Sequence, residues 1–492
     1  MMDAYDVATI RGLEAEAIAE VGEDTLMRRA ASGVAAAVAR DVVSLRGRVY
    51  GTKIMILIGP GNNGGDALFA GARLARRGAA VTGVRCLGRP HARGFAALRD
   101  AGGRLIEIDD LDLDENQWPL KPDVAVDGIL GIGGRPGLPD RVAALAGALE
   151  SWLVPTVAVD LPSGVDADTG AVPTSSIRAT RTVTFGELKP CHLLEPARSR
   201  CGEVQVIDIG LGTLHMPADR WLRQMEEDEL TDWPYPDARS DKYSRGVVGV
   251  DAGSNQYPGA GVLSTYGAVH GGAGMVRFLG ADKPAKIIRR VLPNVVFSPG
   301  RVQAHLLGSG WGDRRDGNKV ISAALDSELP AVVDADGLKY LPKKVPATWL
   351  LTPHAGELAT LLGEERSWVT DDPVRAVRLA ADRTGATVLL KGATQLVAAP
   401  DTDEIAVALP GPAWTGQAGS GDVLGGLCAA LLAAGRRAID AGVRAASIQA
   451  LTARRHPGPL TPQRLAELIA EEIGRLQRRQ AAMIDEIRRI QQ

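Results

Sequence analysis

The sequence has 492 residues, of which 45% are apolar and 23% charged, and its formal net charge is −3. A chain of this length exceeds one ordinary hydrophobic core and predicts two or more globular domains. Its Lys and Arg residues are dispersed and give no basic field for a nucleic acid, its apolar runs are too short to span a membrane, and its four cysteines lack disulfide or zinc-site spacing. We therefore expect a cytoplasmic protein with no nucleic-acid and no membrane partner.

The first half of the chain alternates short apolar runs with helical segments. The runs KIMILIG, AAVTGVRCL, DVAVDGILG, PTVAVDLPSG, RTVTFG and EVQVIDIG predict strands, and DALFAGARLARRG predicts an intervening helix. This alternation predicts an α/β fold with a doubly wound parallel sheet. The polar, Pro-containing stretch EEDELTDWPYPDARSDKYS then interrupts the pattern, and we assign residues 213–236 to an interdomain linker.

A second series of strands and small-residue helices follows. Its predicted strands lie in GVVGVDAGS, HLLGSG, PAVVDADGL, WLLTPHAGEL, TVLLKGAT and EIAVALPG. The sequence therefore predicts two α/β domains, over residues 1–212 and 237–492.

The segment IGPGNNGGDALF, residues 58–69, places G-x-G-x-x-G between a strand and a helix, as in dinucleotide-binding folds. The second predicted strand carries Arg85 and no acidic residue, which disfavours an ordinary dehydrogenase. Asn62, Asn63 and Asp66 instead place oxygen atoms in the turn, where they suit a hard cation, a sugar edge or a phosphate. The alternative is a glycine-rich connection that binds nothing.

Two more predicted strands end at carboxylates, Asp127 and Asp160, and Ser163 follows the second. Singly, each Asp is more often a helix cap or turn former than a catalyst. Because parallel strands end at one edge of a sheet, Asn63, Asp127, Asp160 and Ser163 should converge there.

The segment AGSGDVLGG, residues 418–426, places glycines at the start of an apolar helix. Glycine turns and helix N-termini bind phosphate, and no Walker motif is present, so a nucleotide would be held by this turn and by KGAT. Asp422 could accept the proton of a hydroxyl undergoing phosphorylation, and the helix dipole should keep it ionised. His354 could contact substrate or move a proton, or could cap a helix, and DADGL, residues 334–338, could be a metal site or a set of caps and turns.

The C-terminal segment predicts a helix with a heptad seam of about three repeats. The seam consists of Ile469, Ile473, Leu476, Gln480, Met483, Ile487 and Ile490. It favours a homo-oligomer, or else a helix that docks on its own domain.

The motifs GPGNNGGD, VDGILG, DLPSGVDADTG and TVTFGELKP resemble the epimerase domain of NAD(P)H-hydrate repair enzymes, over roughly residues 1–212. The resemblance implies a Rossmann-like three-layer domain that interconverts the R and S epimers of hydrated NADH and NADPH. It implies a potassium ion held by Asn63, Asp127 and Ser163, and a catalytic, substrate-contacting Asp160. The other implied substrate contacts are Asn62, Asn63, Gly64, Gly65, Asp66, Gly131, Ile132, Gly133, Gly134, Arg135, Pro136 and Gly137.

In the second half, KYSRGVVGVDAGSNQYPGAGVLSTYGAVHGGAGMV, LLGSGWGD, LTPHAGELATLL, VLLKGAT and AGSGDVLGG resemble the ADP- or ATP-dependent NAD(P)H-hydrate dehydratase domain, which has a ribokinase-like fold. The resemblance implies that kinase machinery phosphorylates the C6 hydroxyl of the hydrated nicotinamide so that it can leave, with a magnesium ion assisting. The implied contacts of the hydrated nucleotide are Gly261, Gly310, His354 and a catalytic Asp422. Those of the adenine nucleotide, ADP or ATP, are Lys391, Gly392, Ala393, Thr394, Gln395 and Gly421.

Three hypotheses follow. The favoured one is a bifunctional repair enzyme with an N-terminal epimerase and a C-terminal dehydratase. The second is a ribokinase-like vitamin or sugar kinase with an accessory Rossmann domain, in which the convergent turns of the first half would have no purpose. The third is a non-catalytic nucleotide-binding protein, which Asp422 and the glycine loops disfavour.

Overall fold

The computed structural model describes residues 2–113, 121–211 and 221–490, apart from the side chains of residues 487 and 490. The chain divides into two compact units, one over Asp3–Trp221 and the other from Leu222 onward. No helix among the described residues is long and apolar enough to cross a membrane.

The first unit is built on a parallel sheet, of which the N-terminal strand β1 (Met2–Tyr5) is not a member. The strands of this sheet are β2 (Lys53–Ile58), β3 (Ala80–Arg85), β4 (Arg104–Glu107), β5 (Val124–Gly128), β6 (Thr156–Val159), β7 (Arg181–Phe185) and β8 (Glu203–Ile207). Its helices are α1 (Val7–Val21), α2 (Glu23–Arg46), α3 (Gly61–Arg76), α4 (Ala92–Asp100), α5 (Asp140–Ser151) and α6 (Arg198–Cys201), with 3-10 turns at Ile108–Asp110 and Pro190–His192. Seven strands form the sheet in the order β4-β3-β2-β5-β6-β7-β8, and every neighbouring pair is parallel.

Successive residues of β2 bury opposite faces of this sheet, as the period of a strand requires. Ile54, Ile56 and Ile58 pack in one core with residues of α2 and α3. Met55 and Leu57 pack in a second core with residues of α5. The predicted α/β fold with three layers is therefore confirmed.

The second unit contains a mixed, mainly parallel sheet. Its strands are β9 (Trp221–Gln224), β10 (Val247–Asp251), β11 (Met275–Phe278), β12 (Ala304–Leu307), β13 (Ala331–Val333), β14 (Leu350–Leu351), β15 (Thr387–Leu390), β16 (Leu396–Ala398) and β17 (Glu404–Val407). Its helices are α7 (Pro258–His270), α8 (Asp282–Val291), α9 (Gly317–Asp326), α10 (Ala355–Leu362), α11 (Arg366–Asp371), α12 (Pro373–Thr384), α13 (Ser420–Ala433), α14 (Ala438–Arg455) and α15 (Pro462–Ile490), with 3-10 turns at Glu227–Thr231, Ala335–Tyr340 and Ala413–Thr415. Strands β9 to β17 follow the order β9-β17-β16-β15-β14-β13-β12-β10-β11, with β16 antiparallel to both neighbours. Helices α7, α13, α14 and α15 share one hydrophobic core with the sheet.

The segment assigned to a linker, residues 213–236, is only partly described, because residues 213–220 lie outside the described ranges. From Leu222 onward it belongs to the second unit rather than to a linker. Leu230 and Trp233 are buried in the core of that unit. Glu227 forms an ion pair with Arg454, so its charge is neutralised by a residue distant in sequence.

The C-terminal helix α15 docks on its own unit over the first half of the predicted heptad seam. Ile469 and Leu476 are buried there, and Ile473 packs against the same core. Met483, farther along the helix, is exposed. The side chains of Ile487 and Ile490 lie outside the described part of the chain.

Candidate active site

In the first unit, the motif at residues 62–66 lies inside helix α3, which begins at Gly61, and not in a turn that precedes the helix. The backbone at Gly64 packs closely against Gly59. A side chain at this position would not fit, because a Cβ atom there would lie 2.2 Å from the carbonyl oxygen of Gly59. Asn62 donates a hydrogen bond to Glu23 at 3.0 Å. The sequence pattern predicted the helix but placed its first residue too late.

The residues expected to hold a cation are brought together at the carboxyl edge of the sheet. The Ser163 hydroxyl donates to Asp127 Oδ1 at 2.6 Å, and the Ser163 N–H donates to Asp127 Oδ2 at 2.7 Å. Asn63 Nδ2 donates to the Leu130 carbonyl at 2.9 Å, and the Leu130 N–H donates to Ser163 Oγ at 2.8 Å. Burial raises the pKa of Asp127 to about 6, although hydrogen bonds from Ser163 and Ile129 oppose that rise.

A cavity of about 430 Å³ opens beside this cluster. Of the residues predicted to contact substrate, it is lined by Asn62, Asn63, Asp66, Gly131, Ile132, Gly133, Gly134 and Asp160. Gly64, Gly65, Arg135, Pro136 and Gly137 are described residues outside its lining. The cavity therefore unites most of the substrate contacts that the sequence predicts.

Asp160 follows β6 with a positive φ of 66°, a conformation that non-glycine residues rarely adopt. Lys189 Nζ donates to Asp160 Oδ1 at 2.6 Å, and the Thr184 hydroxyl donates to the same oxygen at 3.0 Å. Burial disfavours the charged carboxylate, but Lys189, His192 and the Thr184 hydroxyl together outweigh burial and lower the pKa of Asp160 below its ordinary value. Lys189, itself only 1% exposed, also donates to Thr184 and to the Phe185 carbonyl, so its ammonium group is fixed in place.

Two other carboxyl groups of the cavity have raised rather than lowered pKa values. Asp66 Oδ1 is buried without a hydrogen-bond partner among the described residues. Burial, and then the charges of Asp160 and Glu14, raise the pKa of Asp66 well above its ordinary value. Burial and Asp160 likewise raise the pKa of Glu14. One cavity thus holds Asp160, whose pKa is lowered, beside Asp66 and Glu14, whose pKa values are raised. Such a difference between neighbouring carboxyl groups separates a base from an acid.

Three residues that the sequence motifs do not single out, Arg11, Glu14 and Lys189, complete this site. Glu14 and Arg11 lie on α1, whose pattern is that of an ordinary amphipathic helix. Lys189 stands in the quoted motif TVTFGELKP, but its pairing with Asp160 depends on the tertiary fold.

In the second unit, Asp422 lies in the first turn of α13, whose N-cap is Gly419. Burial, and then the charge of Asp334, raise its pKa to about 7, against the lowering effects of Lys391 and of a hydrogen bond with Ser309. Burial and the neighbouring carboxylate thus act against the ionised form that the helix dipole was expected to favour.

Asp334 stands at the N-cap position of the 3-10 turn Ala335–Tyr340, but its side chain makes no capping hydrogen bond there. Its carboxylate instead belongs to a buried polar cluster. It accepts hydrogen bonds from Lys391 Nζ at 2.6 Å and from the Thr352 hydroxyl at 2.8 Å, both on Oδ1. The Ser309 hydroxyl donates to Oδ2 at 3.0 Å. Asp334 is 2% exposed, so the Lys391 ammonium is its compensating charge.

The residues expected to bind the adenine nucleotide follow β15. Lys391 joins the cluster just described, and its Nζ lies 3.4 Å from the point that a Cβ atom of Gly421 would occupy. Gly392, Ala393, Thr394 and Gln395 form the turn into β16, in which Gly392 and Ala393 are exposed. The structure therefore brings Lys391, Gly421 and Asp422 together and leaves the turn open to solvent.

The other predicted contacts of the hydrated nucleotide have identifiable structural roles. A Cβ atom at Gly261 would lie 2.6 Å from the Ala252 carbonyl oxygen, and Gly310 has a φ of 64°. His354 caps α10, since its Nδ1 accepts from the N–H groups of Gly356 at 3.0 Å and Glu357 at 3.2 Å. The capping alternative for His354 is thus the one observed, and its side chain is 60% exposed.

Two α/β units, each with buried ionisable groups at the carboxyl edge of parallel strands, define a two-domain enzyme. Residues 23–191 match the family model described as YjeF-related protein N-terminus, and residues 248–475 match the one described as NAD(P)H-hydrate dehydratase. The chain is 42% identical to the bifunctional NAD(P)H-hydrate repair enzyme Nnr of Mycobacterium tuberculosis, over 88% of this chain and 90% of that protein. It is 30% identical to the enzyme of the same name from Escherichia coli, over 77% of this chain and 76% of that protein. The chain belongs to the family of bifunctional NAD(P)H-hydrate repair enzymes, which confirms the family predicted from its motifs.

One of the solved structures similar to part of the chain is the ADP/ATP-dependent NAD(P)H-hydrate dehydratase of Bacillus subtilis, co-crystallised with ATP and Mg²⁺. The match has 22% identity and a TM-score of 0.48, and it covers 51% of this chain and 97% of that chain.

Proposed function

We propose that the chain repairs hydrated NADH and NADPH in two steps, one in each unit. The first unit interconverts the R and S epimers at C6 of the hydrated nicotinamide ring. The second dehydrates the S epimer at the expense of ADP or ATP. The observation that carries the proposal is the grouping of Asp422, Lys391 and the start of α13, since phosphoryl transfer to a hydroxyl needs a proton acceptor and positive charge in one place.

In the dehydratase step, Asp422 takes the proton of the C6 hydroxyl while that oxygen forms a bond to the terminal phosphorus of the nucleotide. The bond from this phosphorus to the bridging oxygen breaks. Lys391 and the free N–H groups of the first turn of α13 bind the phosphate oxygens. The ring nitrogen's lone pair then expels phosphate from C6, and loss of a proton from C5 to the departing phosphate restores the dihydropyridine.

In the epimerase step, the C6–O bond breaks and forms again on the opposite face of the ring. The departing oxygen needs a proton, and the incoming water must lose one. The protonated carboxyl of Asp66 suits the first task, and the carboxylate of Asp160, held ionised by Lys189, suits the second. Exchange with solvent through the cavity then restores both groups.

The cluster of Asn63, Asp127 and Ser163 fits a potassium ion. Its members are oxygen-bearing side chains, and the buried Asp127 carboxylate receives hydrogen bonds from Ser163 and Ile129. Within the described ranges, no Lys, Arg or His side chain pairs with Asp127, so a monovalent cation would supply the missing positive charge. Magnesium would accompany the phosphates of ADP or ATP in the second unit. We further propose that the protein is cytoplasmic and forms a homo-oligomer.

The test is to incubate the full chain separately with the purified R and S epimers of hydrated NADH, with and without ADP or ATP. Recovery of the dihydronicotinamide absorbance from the S epimer should require the nucleotide. Recovery from the R epimer should in addition require an intact first unit and exceed spontaneous epimerisation. A vitamin or sugar kinase would consume nucleotide only with its own substrate and would restore no absorbance.

A further inference from the structure

We propose that Asp334 is a positioning residue of the dehydratase, which holds Lys391 at the start of α13 and sets the hydrogen bonding of Asp422 through Ser309. The inference rests on the proposed function, and it assigns a role to a carboxylate that the mechanism above does not use. Asp334 itself does not meet the substrate, because it is 2% exposed and its oxygens are taken by protein donors.

Asp334 fixes the position of the Lys391 ammonium group. A lysine has a long, flexible side chain, and holding its ammonium group at one point requires a fixed partner. Asp334 provides that partner at 2.6 Å, and the Thr352 hydroxyl, at 2.8 Å, holds the same carboxylate oxygen in position. The ammonium group is thereby placed against Gly421, where a side chain would contact it. A phosphate bound at the start of α13 would meet a positive charge that is already in place.

Ser309 links Asp334 to Asp422. The Ser309 hydroxyl has one proton, and it donates that proton to Asp334 Oδ2 at 3.0 Å. A hydrogen bond from Ser309 lowers the pKa of Asp422, whereas the charge of Asp334 raises it. Because the hydroxyl has a single proton, Asp334 and Asp422 compete for it. Asp334 therefore opposes ionisation of Asp422 both by its charge and by drawing the Ser309 proton to itself.

Other charged or titratable groups also act on this cluster. Glu357 of α10 raises the pKa of Lys391, as do Asp334 and Asp422, although burial lowers it. Cys428 of α13 is buried, and its thiol pKa is raised by that burial and by Asp334. Of these groups, Asp334 contacts Lys391 directly, and after burial its charge contributes most to raising the pKa of Asp422. Substitution of Asp334 should therefore shift the pH dependence of the dehydratase toward lower pH.

The experiment compares the pH dependence of S-epimer dehydration in the full chain with that of Asp334→Asn. Asparagine keeps the shape and an acceptor oxygen but removes the charge. The acidic limb of the pH–rate profile, where protonation of Asp422 lowers the rate, should therefore move toward lower pH by about one unit. The Kd for ADP, measured by calorimetry, should weaken about tenfold because Lys391 is no longer held. Thr352→Val removes a hydrogen bond to the same carboxylate without removing its charge, and its acidic limb should stay in place.

A second comparison uses Lys391→Met alone and together with Asp334→Asn. If Asp334 acts on nucleotide binding through Lys391, the double variant should bind ADP within about twofold of Lys391→Met. This pair also removes the unpaired buried charge that could prevent Asp334→Asn from folding. An unmoved acidic limb in Asp334→Asn, or a double variant whose losses multiply, would overturn the inference. If the wild-type chain binds ADP but dehydrates nothing, the proposed function fails, and the ADP comparison still decides the role of Asp334.

Discussion

Asp422→Asn is the substitution that most directly tests the chemistry of the second unit. The change keeps the size of the side chain and removes both its charge and its ability to accept a proton. Because burial and Asp334 already raise the pKa of Asp422 to about 7, the neutral asparagine resembles a form that the wild-type protein populates near neutral pH. We therefore expect the variant to fold normally and to bind ADP or ATP at least as tightly as wild type.

The expected loss of dehydration rate follows from the role of Asp422 as a general base and from its pKa. Loss of a general base costs about 10²- to 10⁴-fold, so dehydration of the S epimer should fall by at least about a hundredfold, or ~2.7 kcal/mol of transition-state stabilisation. A base with a pKa of about 7 is ionised in about half of the molecules at pH 7 and in about a tenth at pH 6. The wild-type rate should therefore rise with pH through this range and level off above about pH 8, and the variant should lack this limb.

The assay follows the return of dihydronicotinamide absorbance from the S epimer at saturating nucleotide between pH 5.5 and pH 9. Epimerisation of the R form by the same preparation is the internal control, because Asp422 lies in the other unit. Retention of most of the dehydratase rate, or of the acidic limb, would refute the role of Asp422 as base.

Four further outcomes are expected. Potassium should stabilise the wild-type protein relative to lithium by about 2.7 kcal/mol when the ion is present at a hundred times its Kd, and Asp127→Asn should abolish this gain. An equal gain in both proteins would rule out the site. Lys189→Met should leave a buried carboxylate uncompensated, destabilise the first unit by about 3–5 kcal/mol and abolish epimerisation while S-epimer dehydration persists, as calorimetry and the two assays can establish. A fragment of residues 222–492 should fold and dehydrate the S epimer. The shorter fragment 237–492 lacks four buried apolar side chains worth roughly 1.5–3 kcal/mol each, so it should unfold at lower temperature, and equal melting points would contradict this. Deleting residues 477–492 should lower the mass found by light scattering if the exposed end of α15 joins subunits, and an unchanged mass would show that it does not.

The fold class could be predicted because its evidence is local. Each strand of the first sheet that borders a site is an apolar run. Of the cation cluster, Asp127 lies near the end of β5, and Asn63 and Ser163 follow the ends of β2 and β6 by five and four residues. Strand β11, with the sequence MVRF, was not predicted, because four residues with a central Arg277 form no apolar run. Topology then brought the strand ends together, as the rule for parallel sheets requires.

The ion pairs could not be predicted, because their partners are distant in sequence. Asp334 is 57 residues from Lys391, and Asp160 is 29 residues from Lys189. The acidic segment at residues 226–232 has the composition of a linker only while its partners are unknown. Its Glu227 pairs with Arg454, 227 residues away. The composition of a segment gives its charge. Whether the segment is buried depends on side chains that only the folded chain brings next to it.

The start of α3 at Gly61 has a consequence for how the first unit tolerates changes in chain length. Asn63 and Asp66 are three positions apart on a helix, so they project from nearly the same side of it, with about 100° of rotation per residue. One residue inserted between them would turn Asp66 by about 100° and move it about 1.5 Å along the axis, even though every side chain of the motif were kept. A loop would absorb such an insertion by bulging outward. In this helix the spacing between the two residues matters as much as their chemistry. An insertion should therefore uncouple cation binding at Asn63 from proton transfer at Asp66.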